Sequence, residues 1–222
     1  MSRGDGGGAI SAVDGATATT WQLCSLLLDY PDEQWHERLP VIRAEVSGLP
    51  TKTRRPLEQF LAHVDAVGRT ELAADYVATF DTRRRCCLYL TYYAHGDTRK
   101  RGMALLSFKQ AYRAAGLELT DDELPDHLAV VLEFGATADQ DAGYKLLTDN
   151  RAGLELLRLA LRDAGSPWGS VLDAVSATLP ALRGDEREAA RRLAAQGPPA
   201  EEVGLQPFGP PEFMPSTTGA RR

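Results

Sequence analysis

Apolar residues recur at three- and four-residue spacing in block after block of this 222-residue chain, a period that suits helices and little else. Trp21, Leu23, Cys24, Leu27 and Leu28 form one such stripe. Thr19 and Thr20 stand ahead of it as N-caps, and Tyr30-Pro31 closes it. Trp35 to Val46 reads as a second helical stretch, interrupted by Pro40. Leu57, Phe60, Leu61 and Val64 make a third stripe, and Leu72, Tyr76, Val77 and Phe80 a fourth. From Thr98 to Ala115 one face carries Leu105, Phe108, Tyr112 and Ala115, with Asp97 or Thr98 as the cap. Leu124-Pro125 is expected to open the next helix, with Pro at its first position, Asp126 in its first turn and Leu128, Val131, Leu132 and Gly135 inward. Further helices are expected over Leu154 to Leu161, Trp168 to Leu179 and Asp185 to Ala195. Only Leu88 to Tyr93 is ambiguous between strand and helix. The expected fold is all-α, with no repeat at a solenoid period.

The ends differ from the middle. Residues 1–17 are rich in Gly, Ala, Ser and Thr and are read as a disordered tail. Residues 197–222 hold six of the 13 prolines and are read as a flexible tail, in which Phe208, Phe213 and Met214 are candidate docking anchors. One compact domain is expected over residues 18–196.

Charge and cysteine content narrow the function classes. The formal net charge is −6, and no RNP, zinc-finger or basic-region pattern is present, which disfavours nucleic acid. The longest stretch without a formal charge, Gly15 to Leu28, is too short for a membrane span. Three cysteines, two of them adjacent, cannot form a disulfide framework, and no secretory signal opens the chain, so a cytoplasmic setting is expected. Charge is also segregated. Asp75 to Gly116 carries eight basic and three acidic residues (+5); Leu117 to Asp149 carries nine acids and only Lys145 (−8).

Catalytic patterns are thin. No GxSxG, Walker, GxGxxG, HExxH or EF-hand motif occurs. The histidines His36, His63, His95 and His127 lack i, i+4 partners, so no metal is expected, and no cofactor. Cys86 and Cys87 leave open a thiol-redox enzyme, since Arg85 would lower a thiol pKa; the alternative is a small buried hydrophobe on a helix.

Three dense stretches stand apart: Tyr76 to Tyr93, His95 to Gly102 and Glu123 to Phe134. Within them the strings Asp81-x-x-Arg84, Leu88-Tyr89-Leu90-Thr91, His95-Gly96-Asp97-Thr98-Arg99-x-Arg101-Gly102, Tyr112-Arg113-x-x-Gly116-Leu117 and Glu123-Leu124-Pro125-Asp126-His127-Leu128 resemble the NarJ-type nitrate reductase assembly chaperones, also called the delta subunit or molybdenum cofactor assembly chaperone. Leu27-Leu28-Asp29-Tyr30-Pro31-Asp32 is similar to the opening motif of that family, so the likeness runs collinearly from Trp21 to Phe134. Cys86-Cys87 departs from it, since small hydroxyl or alanine-like residues are expected there.

The resemblance implies an all-helical domain of the redox-enzyme maturation chaperone type, and a chaperone rather than an enzyme. It implies binding of the apo catalytic (alpha) subunit of respiratory nitrate reductase, chiefly at its N-terminal segment, in support of molybdenum cofactor insertion before membrane attachment. Proteins of molybdenum cofactor biosynthesis are further expected partners. Neighbouring readings are a chaperone for a dimethyl sulfoxide or trimethylamine oxide reductase, and a purely structural helical adaptor. The client-binding residues expected are Tyr76, Phe80, Asp81, Arg84, Tyr89, Tyr92, His95, Asp97, Arg99, Arg101, Asp126 and His127. The aromatics would wall a groove for a client helix, with arginines at its rim. Asp97, Arg99 and Arg101 are expected to share one role, Asp126 to pair with an arginine, and Trp21, Trp35 and Trp168 to report binding by fluorescence.

Overall fold

A computed structural model describes residues 14–118 and 123–182, with isolated positions from 184 to 192. Among the described residues ten α-helices follow one another: α1 Gly15–Leu27, α2 Glu33–Ser47, α3 Thr51–Ala66, α4 Arg69–Phe80, α5 Leu90–His95, α6 Arg99–Ala114, α7 Leu128–Thr137, α8 Gln140–Asp149, α9 Arg151–Asp163 and α10 Trp168–Thr178. Among the described residues the sole β contact is an antiparallel bridge between Tyr89 and His127.

The layout is that of a helix bundle in which α1 lies along α7 and α10, and α10 lies along α3. The stripes read from the sequence become this interior. Trp21, Leu27, Leu28, Trp35, Leu57, Phe60, Leu72, Leu128, Leu132, Leu157 and Trp168 are all at most 1% exposed. An aromatic cluster centres on Trp168, whose ring lies 5.5–5.6 Å from Phe60, Tyr76 and Phe80 and whose indole N–H donates to Leu27 O at 3.2 Å. The turn from α7 to α8 depends on two glycines. A Cβ on Gly143 would sit 2.3 Å from Gly135 Cα, and one on Gly135 would sit 2.8 Å from the Trp21 ring. Beyond the apolar packing, Arg158, held by Glu155 of its own helix, ties α9 to α10 through Asp173 at 2.8 Å.

Several local expectations are corrected. Helix α1 begins at Gly15 rather than after residue 17, because the Asp14 carboxylate accepts from Thr17 N–H at 2.7 Å. Thr19 and Thr20 therefore lie inside the helix, their hydroxyls donating to the carbonyls of Gly15 and Ala16. Pro40 does not break α2, which runs through it; Pro40 is exposed, where bending is tolerated. Leu124-Pro125 does not open α7. That helix starts at Leu128, since Leu128 N–H is already committed to Leu88 O across the bridge. Leu88 to Tyr93 is both things in turn, extended through Tyr89 and helical from Leu90. Helix α8 has no counterpart in the sequence reading. Of the expected helix Asp185 to Ala195, the described positions Arg187, Glu188, Ala190 and Arg192 are helical; the rest of it and both tails, apart from residues 14–17, lie outside the described residues.

Candidate functional site

The segment Asp81 to Gly96 links α4 to α6 and meets the approach to α7 in a polar node. The node follows from an apolar, β-prone stretch that reaches an acidic turn. Leu90 N–H donates to Asp126 O at 3.1 Å and Leu128 N–H to Leu88 O at 2.8 Å, so the first N–H groups of α5 and α7, which have no carbonyl of their own helix to bond, are satisfied by each other's approach segments. That pairing places the Asp126 side chain, fully buried, at the N-terminus of α5. Its Oδ2 accepts from Thr91 N–H at 3.0 Å and from the Thr91 hydroxyl at 2.6 Å, as suits a carboxylate at a helix N-terminus.

Arg101, in the first turn of α6, completes the node. Its guanidinium lies 3.8 Å from Asp126 and 3.3 Å from Asp97, and its Nε–H donates to Thr91 Oγ1 at 3.3 Å. The same planar group stands over the rings of Tyr89 (5.3 Å) and Tyr92 (5.9 Å), a cation–π arrangement on two sides. The Tyr89 ring meets His127 edge-on at 5.4 Å, and its hydroxyl donates to Glu123 at 3.2 Å. Burial pushes the Tyr89 phenol up to about 12, and the Glu123 carboxylate adds to the effect. Burial also holds His127 below the ordinary imidazole range, with Glu123 and Asp126 opposing it. Gly96 makes the α5–α6 corner possible: its φ is +55°, and its N–H closes on Tyr92 O at 2.7 Å. Gly102, by contrast, is exposed, and a side chain there would meet nothing.

Of the twelve expected residues, six meet here: Tyr89, Tyr92, Asp97, Arg101, Asp126 and His127. The others are dispersed. Phe80 is buried against Trp168 and cannot wall an open groove. Asp81 and Arg84 are exposed on the α4–α5 connection, and half-buried His95 ends α5. Arg99 is exposed and, two positions before Arg101, lies on a different face of α6. Tyr76 lies between. It stacks on Trp168 inside and on Tyr30, half exposed, outside, and its hydroxyl donates to Leu28 O at 2.9 Å. Burial raises its phenol pKa, helped by Asp29, Asp81 and Glu123.

Residues not singled out also belong here. Thr91 bridges Asp126 and Arg101, and the Tyr112 hydroxyl donates to Pro125 O at 2.6 Å, pinning the acidic turn to α6. Both were within the motif strings; only their hydroxyls in an apolar context could have signalled the role. The sequence reading also missed an open groove of about 800 Å³ between α1, α2 and the end of α7. Leu23, Leu26, Val41 and Ile42 supply its apolar floor, and Glu37, Arg38 and Glu45 its polar wall. Val41 is 66% exposed there. Asp29 connects the two regions: it pairs with Arg38 of the groove at 3.9 Å, and its charge bears on Tyr76.

Chemistry at the cysteines is weak. Burial pushes the thiols of both Cys86 and Cys87 up, outweighing the nearby arginines, so the expected activation by Arg85 does not occur. Cys86 is the small buried residue of a 3-10 turn, Arg84–Cys86. Among the described residues no group of three or more His, Cys, Asp and Glu could hold a metal ion, and no helix is long and apolar enough to cross a membrane.

Comparison with known proteins fits this picture. The family model described as nitrate reductase delta subunit matches residues 47–173. The probable nitrate reductase molybdenum cofactor assembly chaperone NarJ of Bacillus subtilis is 32% identical over 161 residues, 72% of this chain and 88% of that protein. The nitrate reductase-like protein NarX of Mycobacterium tuberculosis is 38% identical over 173 residues, 71% of this chain; the match spans about a quarter (24%) of NarX. A crystal structure of a putative redox enzyme maturation protein from Archaeoglobus fulgidus superposes with a TM-score of 0.51 at 22% identity, covering 80% of this chain and 93% of that one, and so shares the fold. With more than half its length matched by the family model, and the most family-like strings meeting in one buried node, this chain belongs to the nitrate reductase delta subunit family.

Proposed function

We propose that the chain is a cytoplasmic chaperone, not an enzyme, for the apo catalytic (alpha) subunit of a respiratory nitrate reductase. It takes the N-terminal segment of that subunit and holds it ready for molybdenum cofactor insertion before membrane attachment. The observations that support this reading are the open groove between α1 and α2, the Asp29–Arg38 pair beside it, and the partly exposed aromatic pairs Tyr30–Tyr76 and Tyr89–His127, in a member of this family. An apolar floor beside half-buried aromatics suits an amphipathic client helix. Glu37, Glu45, Asp29, Asp81 and Glu123 around these sites favour a client face that is basic. Arg101 is the post that holds Tyr89 and Tyr92 in place, and the client meets the tyrosines and His127.

Calorimetry with a peptide of the alpha-subunit N-terminus tests this. An affinity near micromolar, about −8 kcal/mol, is expected of a chaperone that must release its client. Val41→Glu and Tyr30→Ala, at positions 66% and 50% exposed, should weaken it at least about tenfold. Absence of heat up to high micromolar peptide would overturn the reading. Tryptophan fluorescence is the poorer readout, because Trp21, Trp35 and Trp168 are at most 1% exposed and report folding rather than contact.

A further inference from the structure

Helix α6 has two faces with different duties. Phe108 and Tyr112 are buried, and Arg101 enters the node. The opposite face carries Arg99, Lys100, Lys109 and Arg113, and over the whole helix there is no acid. In the middle of those cations stand Met103, 71% exposed, and Leu106, 45% exposed. One helical turn apart, they form an apolar pair in a basic frame on the outside of the domain. Leu117, just past the helix, is 44% exposed. A face of this kind fits an acidic segment with apolar anchors.

The chain contains such a segment. Residues 201–214 read Glu201-Glu202-Val203-Gly204-Leu205-Gln206-Pro207-Phe208-Gly209-Pro210-Pro211-Glu212-Phe213-Met214, with three acids, no base and four large apolar anchors. We propose that this segment of the chain's own tail docks on the outer face of α6, with Phe208, Phe213 and Met214 against Met103 and Leu106 and the glutamates against Lys100, Lys109 and Arg113. Charge selects this face over the groove, because Glu37, Glu45, Asp29 and Glu123 would repel the tail. Reach is sufficient: the described positions from 184 to 192 are helical, and the 16 residues from Arg192 to Phe208 span up to about 53 Å, more than the roughly 40 Å breadth of a domain this size. Prolines at 207, 210 and 211 favour an extended form that loses little entropy on docking. The contact is independent of where a client binds, since it uses the other side of α6.

The chain has four lysines, Lys52, Lys100, Lys109 and Lys145, and two are on α6. Zero-length carbodiimide coupling of the full chain at low micromolar concentration, followed by mass spectrometry of the monomer fraction, therefore reads the contact directly. The expected products are intrachain amide bonds from Glu201, Glu202 or Glu212 to Lys100 or Lys109. Their yield should fall about tenfold in the double variant Phe208→Ala/Phe213→Ala, which leaves the helical domain untouched. It should fall by a similar factor in 0.5 M salt, where the Debye length is only a few ångströms. Amide exchange of α6 should quicken in the same variant. The proposal is overturned by tail cross-links that go chiefly to Lys52 or Lys145. Lysines of α6 that couple only to Glu118, Asp121 or Asp122 would equally overturn it. So would products confined to a dimer fraction, or α6 amides protected by phosphatidylserine vesicles and unaffected by the tail variant.

Discussion

The interior around Trp168 and the node around Asp126 are buried alike but are held by different forces. Around Trp168, residues from α3, α4 and α10 meet through rings and aliphatic side chains, and the polar groups, the Trp168 indole N–H and the Tyr76 hydroxyl, are satisfied by Leu27 O and Leu28 O. Stability there comes from apolar area removed from water, which is non-directional and tolerant of which helix supplies which side chain. Around Asp126 the contacts are directional. A carboxyl with no exposure is held by the Thr91 backbone, the Thr91 hydroxyl and Arg101, and its own backbone is paired with Leu90. A group of that kind stabilises only while its partners stay in place, and loss of one leaves the others desolvated and unpaired. The core thus supports the fold as a whole, whereas the node sets the orientation of one surface, where Tyr89, Tyr92 and His127 are presented.

Substitutions can break this contrast or sharpen it. Trp168→Ala should have the largest effect, about 4 kcal/mol of stability, from a cavity among Phe60, Tyr76 and Phe80. Chemical denaturation measures it; a loss under about 1 kcal/mol would show that the cluster does not support the fold. Asp126→Ala should cost about 3 kcal/mol, because the Thr91 groups and Arg101 are stranded, while Asp126→Asn, which keeps acceptors, should cost less. Equal losses from the two variants would mean that the node is held by shape and not by direction.

Arg101→Lys keeps the charge but loses the planar group over Tyr89 and Tyr92, and should cost about 1 kcal/mol. Client affinity should fall with it, roughly fivefold for 1 kcal/mol, since the two tyrosines lose their post. Unchanged affinity at reduced stability would separate the node from binding.

His127 gives a smaller effect, visible as a slope against pH. Its folded pKa lies below the ordinary 6.5, so the unfolded chain binds the proton first. Its contribution is complete above about pH 6.5 and is lost as pH falls towards the folded value. His127→Gln should flatten that part of the stability profile, measured by melting temperature between pH 7 and 5. Asp97→Ala should do least. Asp97 is 70% exposed, and its pair with Arg101 should be worth no more than about 0.5 kcal/mol. A loss comparable to that of Asp126→Ala would put Asp97 inside the node's energetics after all.

Much of the helical fold was legible because period and burial are linked: Leu57, Phe60, Leu61 and Val64 had to share a face, and that face is the buried one. Family-like strings were legible too, and half of the twelve residues chosen from the dense stretches meet in the node. Helix starts were not, because Asp14 and Thr19 are both competent caps and local chemistry does not choose between them. Asp126 shows the limit most clearly. In the sequence it reads as a first-turn helix residue that pairs with an arginine; in the fold it is buried before the helix begins, since Leu88 to Leu90 arrives from about 36 positions earlier to pair with it.

The sequence by itself determined the class of structure and the inward faces of its helices, because helical periodicity is a property of neighbours three and four residues apart. It also determined which strings carry the family likeness. Tertiary structure alone decided that Phe80 belongs to the core and Tyr89 to the surface, that Arg101 joins Asp126 while Arg99 lies on a different face, and that α1 and α2 leave a groove between them. Those outcomes depend on which distant backbones and charges meet, and no local pattern encodes the distance between residues that chain folding brings together.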